Sequence, residues 1–149
     1  MFAEVMRGDA YHSYRVRLES RLGVPREASD QDVHKMIEAG FPTVKLKDLC
    51  ARYELNTSER DQIIAQRALK ARMTRNQKLT LNESDWLFRL VHITAMAEVI
   101  FGDEVKAMRW LSKSKDRFAG KKPLEMLSTL PGTREVEVML IQVAEPFAF

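Results

Sequence analysis

The chain has 149 residues, 24 of them basic and 21 acidic, with a net charge of +3 and 45% hydrophobic content; these are the proportions of a folded globular chain and exclude wholesale disorder. Its one cysteine, Cys50, excludes an intramolecular disulfide framework and a multi-cysteine zinc site. The longest apolar stretch, Trp86 to Phe101, is broken by Arg89, His92 and Glu98 and so does not suit a bilayer, and the amino-terminal residues carry Glu4 with no apolar export region, so a reducing cytoplasmic location is expected.

The apolar spacing is helical nearly everywhere, which makes the expected fold all-α. Tyr11, Tyr14, Leu18 and Leu22 line one helix face before Gly23 and Pro25. Ser29 and Asp32 form a weak capping box for a helix with Val33, Met36 and Ile37 inward, closed by Gly40. Thr43 is the expected cap of the next helix, with Val44, Leu46, Leu49 and Tyr53 facing the core. Thr57 or Ser58 is expected to cap a helix containing Ile63 and Ile64, and a further helix runs through Leu69 and Met73 to about Arg75. Thr80 and Glu83 form a T-x-x-E box ahead of the longest helix, roughly Asn82 to Phe101. Gly102 suits its end, and Asp103 caps a helix with Val105, Met108 and Leu111 on one face. Lys113 to Lys122 reads as a polar loop, followed by a short helix from Pro123 with Leu124, Leu127 and Leu130. Pro131-Gly132 reads as a turn, and Thr133 as the cap of a last helix carrying Val136, Met139, Leu140 and Val143. The joint between halves falls at Asn76 to Asn82, too short for a loose linker.

Catalytic chemistry is hard to find. His12, His34 and His92 are scattered, and none sits at metal-ligand spacing from a second ligand. His92 is expected to be a hydrogen-bonded interior or interface histidine, and Cys50 to pack on an apolar helix face. There is no G-x-S-x-G elbow and no phosphate-cradling glycine loop. An enzyme is therefore the weakest class, and no cofactor or metal is expected.

Charge is unevenly placed. Arg60 to Lys78 holds six basic residues and one acid, and Glu104 to Lys122 holds seven and two, so each is net +5 and the remainder carries −7. Glu59 to Arg75 can form two helices joined near Ile64-Ala65-Gln66, a helix-turn-helix whose second helix presents Gln66, Arg67, Lys70, Arg72 and Arg75 to DNA. Gln66 suits adenine and Arg67 guanine. The turn lacks glycine, so a single helix with a solvated polar side fits the pattern as well.

The second half resembles a known family. Phe101-Gly102, Ala107 to Trp110-Leu111, Gly120 to Pro123, and Gly132 occur in the order found in the C-terminal toxin-binding domain of Xre-type antitoxins. Those antitoxins partner RES-domain toxins in bacterial type II toxin–antitoxin modules. Arg67 to Arg72 is similar to the family's arginine-threonine-leucine-x-x-arginine helix, with Ala68 in place of the threonine. The resemblance implies a helix-turn-helix region in residues 1–78, binding operator DNA as a dimer, and a toxin-binding domain in residues 79–149. It also implies that the carboxyl-terminal segment blocks the active site of a toxin that consumes NAD. Many relatives end in a glycine-containing segment, whereas this chain ends Glu145-Pro146-Phe147-Ala148-Phe149.

Physical chemistry gives that tail two readings. In a partner's pocket, each phenylalanine would contribute about 1.5–3 kcal/mol of apolar burial, and the terminal carboxylate suits an arginine. Alternatively, the two rings fold back on the chain's own core. Trp110 is likewise either an interior residue or an interface anchor. The expected toxin-binding set is Trp110, Glu145, Phe147, Ala148 and Phe149. The competing function is a stand-alone DNA-binding regulator whose C-terminal half only dimerises.

Overall fold

The computed structural model describes residues 8–145. Among these residues every regular element is helical; the lone β feature is an isolated antiparallel bridge between Pro42 and Lys78. Helix α1 spans Asp9–Leu22, α2 Asp30–Ala39, α3 Thr43–Arg52, α4 Thr57–Asp61 and α5 Gln66–Arg75. Helix α6 spans Leu81–Phe101, α7 Glu104–Leu111 and α8 Leu130–Ala144, with 3₁₀ turns at Asp116–Phe118 and Pro123–Ser128.

Helix α6 is the axis of the fold. Residues on all sides of it are buried, including Leu87, Leu90, Val91, Ile93, Ala95, Met96 and Ala97. A helix apolar all round must be enclosed by others, and α1, α2, α7 and α8 pack on it. One hydrophobic cluster runs from Tyr14 to Ala144, so the amino- and carboxyl-terminal halves share a core. The joint between them is stitched down. Leu79 N–H donates to the Phe41 carbonyl at 3.0 Å, Phe41 N–H to Ser84 Oγ at 3.0 Å, and Thr43 Oγ1 to the Gln77 carbonyl. Gly40 makes this approach possible: a Cβ there would stand 2.4 Å from the Leu79 carbonyl oxygen.

Several local expectations need correcting. Thr43 does not cap α3; Pro42 holds that position, and Val44 is 44% exposed because it lies opposite Leu46 and Leu49. Asn56, not Thr57 or Ser58, caps α4, through a reciprocal box with Glu59. Ile63 and Ile64 are buried in the turn after α4 rather than inside a helix. On α7 the core face is Ala107 and Leu111, leaving Val105 64% exposed. Leu130 does not belong to the short helix before it but starts α8, where it is 53% exposed. Thr129, not Thr133, caps α8, and Pro131 and Gly132 lie inside its first turn. Gly132 does more than turn the chain. A Cβ at this position would meet the Met126 carbonyl oxygen at 2.0 Å, so the absence of a side chain lets α8 start against the preceding 3₁₀ turn.

A buried ion pair ties α1 to α6. Arg21 binds both carboxylate oxygens of Glu98, with Nη2 to Oε1 at 2.7 Å, and both side chains are almost fully enclosed. The Tyr53 hydroxyl donates to Glu98 Oε2 at 3.3 Å, bringing in the end of α3. Burial, reinforced by the Glu98 charge, pushes the Tyr53 phenol up to about 12, which keeps it a donor.

Two stability outcomes follow. Glu98→Ala leaves the Arg21 charge buried without its partner and should cost about 3–5 kcal/mol in urea unfolding, whereas the double change Arg21→Met with Glu98→Leu should recover most of it. Gly132→Ala should cost about 1–3 kcal/mol by overpacking, read in the same assay.

Candidate functional site

Two surfaces carry the residues singled out by sequence. The first is the α4–α5 pair. The chain turns over Gln62 to Ala65, so the segment is two helices and not one. In α5, Leu69 is buried and Met73 half-buried, which turns Gln66, Arg67, Lys70 and Arg75 to the exposed side. None of Arg67, Lys70 and Arg75 has a carboxylate partner among the described residues. Arg72 stands apart. It is half-buried and its Nη1 binds Glu83 Oε1. The same Glu83 oxygen accepts the Thr80 N–H at 2.8 Å, so one carboxylate caps α6 and anchors α5 to it.

Packing adds one cation, Lys47, that linear reading did not connect with this surface. An open groove of about 430 Å³ between α3 and α5 is lined by Lys47, Arg60, Gln66 and Lys70, with Cys50 and Leu69 among its apolar walls. Lys47 comes from α3, whose buried Leu46 and Leu49 set its outer face toward the groove. The helical phase of α3 carried that signal, but only the contact between α3 and α5 turns it into a shared surface. Cys50 is half-buried there, and burial pushes its thiol up, away from a reactive thiolate.

The second surface lies at the carboxyl-terminal end. Asp103 caps α7 by accepting the Lys106 N–H at 3.0 Å. Trp110 is half-buried. Its ring is 5.9 Å from Phe101, and the Lys115 ammonium sits 4.6 Å from its centroid, a cation–π contact. Burial, and then the neighbouring Lys113 charge, push the Lys115 amine down. The following loop is anchored rather than loose. Phe118 is buried at 3% exposure, Lys115 N–H donates to the Lys121 carbonyl at 3.0 Å, and Gly120 N–H returns to the Lys115 carbonyl at 3.0 Å. Arg117 reaches Gln142 Oε1 at 2.6 Å, fastening the loop to α8. Glu145 is exposed just beyond α8. Phe147, Ala148 and Phe149, the core of the expected toxin-binding tail, lie outside the described residues.

The histidine expectation agrees with the geometry. His92 Nδ1 is 2.5 Å from the Tyr14 hydroxyl and Nε2 is 2.9 Å from Glu137 Oε1, linking α1, α6 and α8. Among the described residues no group of three or more histidine, cysteine, aspartate or glutamate side chains is placed to hold a metal ion, and no helix is long and apolar enough to cross a membrane.

The helices gathered about α6 carry a match to a known family. Residues 96–145, from the second half of α6 to the end of α8, match the family described as the antitoxin Xre/MbcA/ParS C-terminal toxin-binding domain. The whole chain is also similar to Antitoxin Xre of Pseudomonas putida, 52% identical over 147 residues, which is 99% of this chain and 92% of that protein. The chain belongs to the Xre family of antitoxins.

The two kinds of arginine on α5 should separate experimentally. Arg72→Ala removes a charged hydrogen bond to Glu83 and should lower stability by about 1.5–3 kcal/mol. Arg67→Ala should change it by no more than about 0.5 kcal/mol. Chemical denaturation checks both.

Proposed function

We propose that this antitoxin neutralises a RES-domain toxin by placing its carboxyl-terminal segment in the toxin's active-site cleft. In the same proposal it binds operator DNA through α4–α5 as a homodimer and represses its own operon. It acts in the cytoplasm, by binding and not by catalysis. The observation that carries this reading is similarity over nearly the full chain to Antitoxin Xre, which extends through both surfaces described above.

The division of labour falls near the stitched joint, with residues 1–78 serving DNA and residues 79–149 serving the toxin. Exposed Gln66, Arg67, Lys70 and Arg75 are the DNA contacts. Arg72, spent on Glu83, positions the helix that carries them. On the toxin side, Glu145 is exposed just beyond α8, at the start of the proposed toxin-binding tail. Phe147 and Phe149 suit an apolar pocket of the toxin. Trp110 suits the rim of that contact, since part of it remains accessible.

Co-expression with the RES-type toxin of its own operon tests the reading. The full chain should preserve cellular NAD, and a chain lacking Glu145 to Phe149 should let NAD fall. Complete protection by the shortened chain would refute tail blockade. Arg67→Ala with Lys70→Ala should release repression of the operon while leaving NAD protected; intact repression would move the DNA surface elsewhere.

A further inference from the structure

The two basic segments are far apart in sequence, but residues in or beside them share one cleft in the fold. Leu55, Gln62 and Ile63, around α4, line one narrow cleft with Leu124 and Glu125 of the 3₁₀ turn. That turn begins immediately after Lys121 and Lys122. The lysine loop therefore emerges beside the helix-turn-helix pair. Helix α6 separates this side from a different one. Its Trp86 and Leu90 line the cleft just described, whereas Asp85, Phe88 and His92 line a groove of about 340 Å³ with α2 and α8. At 100° per residue these two sets point to opposite sides of the helix. The second groove carries Asp30, Asp85 and Glu137, and its one arginine, Arg89, is paired with Asp85. The acidic groove and the lysine loop therefore lie on different sides of α6.

We propose that the Lys113–Lys122 loop is a second contact for duplex DNA, gripping the phosphates of the same duplex that receives α5. This rests on the DNA reading of α4–α5 given above. The loop is built for it. The hydrogen bond from Lys115 N–H to the Lys121 carbonyl closes its neck, and buried Phe118 pins its tip to the core, so Lys113, Lys121 and Lys122 are held together before any partner arrives. None of the three has a carboxylate partner among the described residues. The nearby acids Glu59 and Glu125 are turned onto backbone N–H groups, of Asn56 at 3.0 Å and Lys122 at 3.2 Å.

The exposed chemistry selects nucleic acid over a protein. A protein interface needs a desolvated apolar or aromatic centre. The loop's own aromatic residue, Phe118, is buried, and apart from Ala119 and Gly120 what it exposes is polar: Lys113, Ser114, Asp116, Arg117 and Lys121. The neighbouring Trp110 is covered on one face by Lys115. Lysine point charges with no apolar centre among them suit phosphates, which give affinity without reading sequence. The consequence is that the domain assigned to the toxin also carries part of the DNA surface.

The test is the salt dependence of DNA binding by the full chain, measured by anisotropy. The probes are duplexes of about 30 base pairs, one from directly upstream of the coding sequence and one of random sequence. Lys113→Gln, Lys121→Gln and Lys122→Gln are combined, leaving Lys115 on Trp110. Each lost phosphate contact lowers the slope of log affinity against log salt by about 0.9, so the triple variant should lose about two units or more on both probes. The double variant Lys113→Gln with Lys121→Gln changes only exposed side chains, keeps the fold, and should lose between one and two units. An unchanged slope in the double variant, with Arg67→Ala and Lys70→Ala still weakening binding, overturns the loop's role and leaves the α5 reading standing. An unchanged slope with weaker toxin capture assigns the loop to an acidic protein surface and overturns the proposal. No binding of either duplex by the unaltered chain overturns both readings.

Discussion

Burial of α6 along most of its length is the constraint on which the rest depends. A helix packed by others on several sides offers a partner little surface of its own. What it offers is a fixed axis, with α1 and α2 against one part of it and α7 and α8 against another. The connections of α1 and α8 to it are polar as well as apolar. Arg21 reaches Glu98 from α1, Tyr14 reaches His92, and Glu137 reaches the same histidine from α8. Buried polar links of this kind are satisfied in one arrangement only, and so they fix the relative angle of the helices more tightly than apolar packing does.

The helices themselves were legible because their signals are local. The T-x-x-E box at Thr80 and Glu83 marks the start of α6, and Gly102, at a φ of 70°, marks its end; both were readable from neighbours three or four residues apart. Periodicity misplaced residues where an element was too short to define a face. Val105 and Leu130 matched an apolar spacing, but α7 has only eight residues and Leu130 belongs to the next helix. Gly132 was opaque for a different reason. Its neighbour is the Met126 carbonyl, brought close by a 3₁₀ turn that no periodicity announces. The candidate DNA residues show the same division. Gln66, Arg67, Lys70 and Arg75 could be placed on one face by counting along α5, whereas the removal of Arg72 to Glu83 depends on how α5 meets α6. The proposed toxin-binding set rests most on resemblance, since the residues alone leave its phenylalanines suited equally to a partner or to the chain's own core.

Charge shows how little net composition reveals. A surplus of three is unremarkable, yet the chain contains two segments of +5 and a remainder of −7. Folding brings residues in or beside both segments, Gln62 and Ile63 with Leu124 and Glu125, to one cleft, and gathers Asp30, Asp85 and Glu137 in a separate groove.

Glu83 shows why position and contact must be kept apart when a binding helix is read. Its carboxylate accepts the Thr80 backbone N–H and also binds Arg72. The first bond starts α6; the second holds α5 to that start. A cation that looks available in the sequence is therefore part of the support that aims its neighbours. Arg67 and Lys70 lie five and two residues before Arg72, on the side of α5 that this attachment leaves exposed. Counting every arginine on the helix as a DNA contact would overstate the charge presented and miss the reason the remainder points outward. The same logic holds at the other surface, where Lys115 rests on Trp110 and holds the neck of a loop whose other lysines stay accessible.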